Sequence, residues 1–127
     1  MDHPLDERLQ LALQQQRAAF EREPMPTLAV RRDRLRRVHA MTVRHADALA
    51  DAIAADFGHR ARQETLLAEV FTVRAAARHA IARLPAWMKA RRVPTQLHFL
   101  PGRNRLLRQP LGVAGIVSPW NYPYYLS

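Results

Sequence analysis

Residues Val113-Ala114-Gly115-Ile116-Val117 form an unbroken apolar run of strand length. Such a run suits a strand buried on both faces, as in a parallel sheet, rather than one with a wet side. It ends abruptly at Ser118-Pro119-Trp120-Asn121-Tyr122-Pro123, where two prolines stiffen a turn. Pro123 can open a helix, because the missing N–H costs nothing at the first helical position. Only about one turn of that helix could follow before Ser127, too little to sustain itself. A lone buried-type strand also needs neighbours to cover its edges. The sequence therefore reads as one cut inside a βα unit, and in isolation it is expected to be poorly soluble.

Residues 5–84, well before this run, are mostly helical in pattern. Leu5, Leu9, Leu13 and Phe20 fall near helical spacing, and Pro24 and Pro26 break the segment. A second helix is expected from near Thr27, a suitable N-cap, to Phe57. Leu35, Val38, Thr42, Leu49 and Ile53 trace one of its faces. Gly58 follows as a C′ residue, since glycine takes a left-handed backbone cheaply. A third helix is expected from about Arg62 to Leu84, with Leu66, Val70, Val73, Ala77, Ile81 and Leu84 as its apolar stripe and Pro85 as its stop. Residues 85–95 read as a linker between prolines. Gln96–Leu100 and Arg105–Gln109 read as short strands of a hairpin around Pro101-Gly102-Arg103-Asn104.

Charge narrows the function classes. The chain of 127 residues has 20 Lys+Arg against 11 Asp+Glu, a net charge of +9. Lys89 is the lone lysine. A balance of this kind suits an anionic partner, or a segment whose acidic complement lies elsewhere in a larger protein. The Arg31–Arg37 run is expected to be a solvated helix face, with Asp33 and Arg37 paired at i,i+4. It has no aromatic interleaving of the nucleic-acid-binding kind and no Trp or Phe opposite the charge for a membrane surface. A non-catalytic basic helical protein that binds nucleic acid stays open as the alternative.

There is no cysteine, hence no disulfide framework and no thiol nucleophile within these residues. The six histidines form no ligand set; His39 and His45 point apart on one helix, and no metal site is expected. Ser118 and Ser127 are the only serines, without a nucleophile elbow. No run is long enough to span a bilayer, and the acidic start has no signal-peptide core, so a cytoplasmic location is expected. Gly112 and Gly115 do not make the usual dinucleotide fingerprint. Trp87 is expected to be a packing anchor.

The segment Pro110-Leu111-Gly112-Val113-Ala114-Gly115-Ile116-Val117-Ser118-Pro119-Trp120-Asn121-Tyr122-Pro123 strongly resembles the first cofactor-domain strand and turn of aldehyde dehydrogenases. Asp56-Phe57-Gly58, Glu64-Thr65 and Ala68-Glu69-Val70 resemble the helical part of the same family. Trp87-Met88-Lys89, Arg91-Arg92-Val93-Pro94-Thr95 and the stretch 97–105 are similar to its class-3-like branch, the coniferyl aldehyde dehydrogenases above all. Ala90 stands where related sequences more often have proline.

The resemblance implies an α/β fold of aldehyde dehydrogenase type. Residues 1–94 would be an amino-terminal helical part of the cofactor-binding domain and 95–110 a bridging β-hairpin used in subunit contact. Residues 111–127 would be the first strand and catalytic turn of a Rossmann-like sheet. It implies oxidation of an aldehyde, such as an aromatic one of coniferyl type, to a carboxylic acid with NAD or NADP, in a homodimer. In that chemistry a cysteine thiolate attacks the aldehyde, and the tetrahedral oxyanion needs fixed donors. The resemblance assigns one donor to the side-chain amide of Asn121. Val117, Ser118, Pro119 and Trp120 would line the cofactor, and Tyr122 would wall the substrate pocket. The catalytic cysteine, the general-base glutamate and the lysine segment that holds the cofactor ribose have no counterpart in these residues. The chain alone is thus expected to be inactive.

Overall fold

The computed structural model describes residues 4–127, with side chains from residue 6 onward. It is mostly helical with one two-stranded sheet, and it divides into two compact units.

The first unit comprises residues 1–27 and 89–115. Its helix α1 spans Pro4–Arg22, with Asp6 and Glu7 in the first turn and Arg22 in the last, the arrangement the helix dipole favours. It ends just before Pro24, as the sequence leads one to expect. Strand β1, Arg91–Val93, pairs antiparallel with β2, Asn104–Leu106, in the register Arg91 to Leu106 and Val93 to Asn104.

The hairpin expectation is corrected here. Gln96–Leu100 is not a strand; Leu97–Phe99 makes a single 3-10 turn, and the true partner of β2 lies in the presumed linker. All six ladder residues are exposed, so no alternation of polar and apolar residues marked them. The turn at Pro101-Gly102 is present, and it needs its glycine. A Cβ there would lie 2.6 Å from the Phe99 carbonyl oxygen, which accepts the Gly102 N–H at 2.8 Å.

The second unit comprises residues 28–88 and 116–127. Helix α2 is Leu28–Arg44 and α3 is Ala46–Phe57. The single helix expected from Thr27 to Phe57 is thus interrupted at His45, whose ψ is 15°. The backbone ladder survives the bend: His45 N–H donates to Met41 and Leu49 N–H to His45. The cause lies one turn earlier. Thr42 Oγ1 donates to the Val38 carbonyl at 2.8 Å, a back-bond of the kind that bends helices. Gly58 closes α3 as expected, with φ of 78° and its N–H on the Ala54 carbonyl.

Helix α4 is one turn, Arg62–Thr65, continuing into a π-helical segment, Leu66–Phe71, and then α5, Thr72–Met88. Thr72 Oγ1 reaches the carbonyls of both Ala68 and Glu69 at 2.6 and 2.8 Å, satisfying acceptors at the end of the widened turn. Pro85 does not stop this helix, contrary to expectation; it lies inside α5. Proline removes one N–H and crowds one carbonyl, so the helix continues past it at the cost of the bond a residue 85 N–H would make to the Ile81 carbonyl. Buried Leu84 and the contact of Trp87 with His79, ring centroids 5.8 Å apart, hold the last turn in place.

Helices α2 and α5 pack against each other. The buried apolar side chains are Ala50, Ile53, Val70, Ala77 and Leu84. Thr42, Arg60, Thr65 and Glu69 are buried beside them, an unusually polar interior.

Residues 113–117 do not form the expected strand. A strand exists only through a partner's N–H and C=O groups, and no neighbouring strand reaches this segment among the described residues. Ile116 is 67% exposed and Val117 96%. Residues 120–126 turn tightly, and Leu126 N–H donates to the Tyr122 carbonyl at 3.1 Å.

Candidate functional site

The turn that begins at Ser118 is fastened to the helices of the second unit by polar contacts from three places. The first is Arg60, two residues beyond the αL cap at Gly58. Its side chain is only 4% exposed. Nη1 donates to the Asn121 carbonyl at 2.8 Å. The guanidinium carbon lies 5.0 Å from the Phe57 ring centre and 4.8 Å from that of Tyr122, so the cation sits against two aromatic faces.

The second place is Glu69, in the π-helical segment and fully buried. Its Oε2 accepts the backbone N–H of Tyr124 at 2.7 Å and that of Tyr125 at 3.2 Å. Its Oε1 lies 3.2 Å from Arg60 Nη1. That approach is a charge contact rather than an aligned hydrogen bond, since Oε1 has no hydrogen-bond partner. Glu64 adds a second, half-exposed carboxylate 3.4 Å from Arg60 Nη2. Two carboxylates thus flank one buried cation, which suits its desolvation. Arg62 meanwhile clamps α4 to α3 through Asp47 and Asp51, each at 2.5 Å, on the exposed surface.

The third place is Thr42, whose Oγ1 lies 2.7 Å from the Tyr124 hydroxyl. The Thr42 proton is already committed to the Val38 carbonyl, so Tyr124 is the donor of this bond. Within the turn, Ser118 Oγ donates to the Pro123 carbonyl at 3.1 Å and lies 2.5 Å from Ser127 Oγ. Ser127 Oγ also donates to the Pro123 carbonyl.

What this scaffold presents is Asn121. The residue is exposed while its carbonyl is gripped from below. With Tyr122 it lines an open recess of about 510 Å³, completed by Phe57, His59, Arg60, Ala61 and Glu64. Trp120 and Pro123 line a neighbouring recess with Asp56, Phe57 and His59. Trp120 is 80% exposed, and its ring tilts 41° to that of Phe57, centroids 6.2 Å apart. Tyr122 is half-buried beside the Arg60 guanidinium. Val117 and Pro119 are exposed and Ser118 is half-buried. The expected site residues Trp120, Asn121 and Tyr122 therefore come together at adjoining recesses, and the apolar Val117 and Pro119 extend the exposed edge of the same turn.

Sequence reasoning did not single out Arg60 or His59; it placed Thr42 only on a helix face and Glu69 only in the helical part. One signal pointed to Glu69. It lies three residues after Leu66 and four before Val73, a carboxylate on the apolar stripe, where an unpaired charge would be costly. Arg60 offered no such mark, because arginine is common throughout this chain. The Asp33–Arg37 pair expected on α2 is present at 3.0 Å, with both side chains well exposed. Among the described residues, no helix is long and apolar enough to cross a membrane.

Comparison with known proteins gives a consistent result. The chain is 38% identical over 119 residues to a probable coniferyl aldehyde dehydrogenase of Pseudomonas aeruginosa, covering 94% of this chain and 25% of that protein. It is 35% identical over 122 residues to a coniferyl aldehyde dehydrogenase of another Pseudomonas, with 95% and 25% covered. It is 32% identical over 97 residues to aldehyde dehydrogenase family 3 comG of Dictyostelium discoideum, with 76% and 20% covered. The chain thus spans about a quarter of the length of the two coniferyl relatives. The model of the aldehyde dehydrogenase family matches residues 5–127, nearly the whole sequence, and the chain belongs to that family.

Proposed function

We propose that the protein of which this chain is part oxidises an aldehyde to a carboxylic acid, with NAD or NADP as hydride acceptor. The balanced reaction is aldehyde plus NAD(P)⁺ plus water to acid plus NAD(P)H plus a proton. An aromatic aldehyde of coniferyl type is the proposed substrate, since two of the similar proteins carry that name. The observation that carries the reading is Asn121, an exposed amide-bearing residue on a turn whose backbone is fixed by a buried arginine. A thiolate elsewhere in the protein would add to the aldehyde carbon, and the carbonyl π electrons would move onto oxygen. The Asn121 side chain would donate an N–H to that oxygen. A preorganised donor stabilises charge as it develops, without reorganisation at the moment of reaction.

The cofactor fits the turn at one end only. Val117, Pro119 and Trp120 offer exposed apolar surface and no charge, which suits a flat nicotinamide ring rather than a phosphate. The Ser118 hydroxyl is engaged within the turn, so it contributes shape more than hydrogen bonding. Bound there, the cofactor supplies the hydride-accepting carbon. Tyr122 is proposed to wall the aldehyde pocket.

A Rossmann-like sheet containing residues 111–127, a helical part over 1–94 and a bridging segment at 95–110 complete the proposal. The β1–β2 ladder supports the bridging role, with its start moved back to Arg91. It is two-stranded and exposed, so each strand keeps an unpaired edge open to a neighbouring subunit of a homodimer.

The test is Asn121→Ala in the complete protein. Turnover should fall about 10²- to 10³-fold, the effect typical of losing one oxyanion donor. Thermal unfolding should barely move, because the residue is exposed. Unchanged turnover removes Asn121 from the chemistry and with it the main support for the reading.

A further inference from the structure

We propose that Arg60 and Glu69 are positioning residues for Asn121, a role that rests on the oxyanion reading above. Neither needs to touch substrate. Both act through the backbone of residues 121–125. Arg60 Nη1 holds the carbonyl of Asn121, and Glu69 Oε2 holds the amides of Tyr124 and Tyr125. The two side chains are themselves joined, 3.2 Å apart. The turn is therefore gripped on both sides of Tyr122-Pro123, at an acceptor before it and two donors after it. Stacking of the guanidinium on Tyr122 fixes the segment between.

A packing role alone does not account for this pair. Replacing a buried ion pair by apolar groups of similar volume is often neutral or stabilising, so burial of charge is a poor way to gain stability. What the pair supplies, and apolar groups cannot, is direction. A guanidinium has donors in a fixed fork, and a carboxylate can accept two neighbouring amides at once. The amide of Asn121 hangs from the backbone atom next to the carbonyl that Arg60 holds. Rotation of that peptide unit would swing the donor off the oxyanion. Displacements of about 1 Å at a reacting centre are enough to cost 10²-fold in rate.

Glu69 also owes its place to the π-helical segment. Glu69 and its neighbour Val70 are both buried, 0% and 4% exposed. Widened turns of this kind are rare, and they concentrate where a side chain must be re-aimed for function.

The test uses the complete enzyme and the variants Glu69→Gln, Arg60→Lys and Asn121→Ala, singly and in pairs, with rates normalised to titrated active sites. Glu69→Gln keeps an acceptor for the two amides but loses the charge that orients Arg60. Arg60→Lys keeps the charge but loses the fork. Each should lower kcat about 10- to 100-fold, with the KM for the aldehyde changed less than about threefold. Combined with Asn121→Ala, either should add less than about threefold to the loss from Asn121→Ala alone, because the residue being positioned is gone. If Glu69→Gln fails to fold, Arg60→Lys carries the same comparison. Undiminished kcat in a folded Arg60→Lys or Glu69→Gln enzyme overturns the proposal. So does full multiplicative loss in the pairs, which marks a structural role independent of Asn121. Both results leave the oxyanion reading standing, whereas an Asn121→Ala enzyme of normal kcat removes that reading and this one together.

Discussion

The contact between Thr42 and Tyr124 ties α2 to the end of the turn, and its value can be worked out from the bonding pattern. Thr42 is wholly buried and donates its only hydroxyl proton to the Val38 carbonyl. Its lone pairs accept the Tyr124 O–H at 2.7 Å. In Thr42→Val the side-chain shape and β-branching are kept, so helix propensity changes little. The Tyr124 hydroxyl, half-buried, then loses its acceptor, and a stranded polar group costs about 1–3 kcal/mol. In Tyr124→Phe the threonine keeps its bond to Val38, and the loss should be about 0.5–1.5 kcal/mol, that of one ordinary hydrogen bond. The double variant Thr42→Val/Tyr124→Phe strands nothing at this contact. Its loss should fall short of the sum of the singles by about 1 kcal/mol. The separate bond to Val38 is lost in both backgrounds that carry Thr42→Val, so it cancels from the coupling. Urea unfolding of the complete protein, followed by circular dichroism, measures the cycle. With a slope of about 2 kcal/mol/M, Thr42→Val moves the midpoint down by about 0.5–1.5 M. Losses additive to within about 0.3–0.5 kcal/mol would show that the two hydroxyls do not interact, and the assignment of Tyr124 as donor would fall.

Two further outcomes follow from backbone and core. Gly58→Ala should cost about 1–2 kcal/mol, the penalty of an L side chain at its φ of 78°, with open space around the new Cβ; an unaltered melting curve would contradict the left-handed cap. Leu84→Ala should cost about 2–5 kcal/mol as a buried cavity near Pro85, whereas a loss below about 0.5 kcal/mol in denaturant titration would mean that the last turn of α5 does not pack.

Local chemistry made much of the helical part legible. Prolines 24 and 26 mark the end of α1, Gly58 marks the end of α3, and the stripe from Leu66 to Leu84 supplies Val70, Ala77 and Leu84, three of the five buried apolar residues among those described. The two strand misreadings share a cause, which is dependence on a partner outside the segment being read. Arg91–Val93 carries no period-two signal because the ladder it joins is exposed on both faces. Residues 113–117 have the composition of a buried strand, but a strand is completed by its neighbours. The candidate site divides in the same way. Asn121 and its turn could be read from a contiguous motif. Its supports could not, because Glu69 lies 55 residues before the amide it accepts, and Thr42 lies 82 before its tyrosine.

That division bears on how the turn is held. In an open α/β sheet, ligands gather beyond the carboxyl ends of strands, and the ladder fixes where each strand ends. Among the described residues no strand pairs with 113–117, and the turn after them is anchored to helices as well. The helical unit contributes to its geometry through Val38 and Thr42 on α2, Arg60 beyond α3 and Glu69 before α5. These are directional polar contacts in an interior whose apolar complement is small, and nonpolar packing alone would let a seven-residue turn slide. A helical scaffold that buries a charge pair to orient a turn gives up some stability for geometry. Geometry is what an oxyanion donor requires, since its contribution depends on being in place before the charge develops.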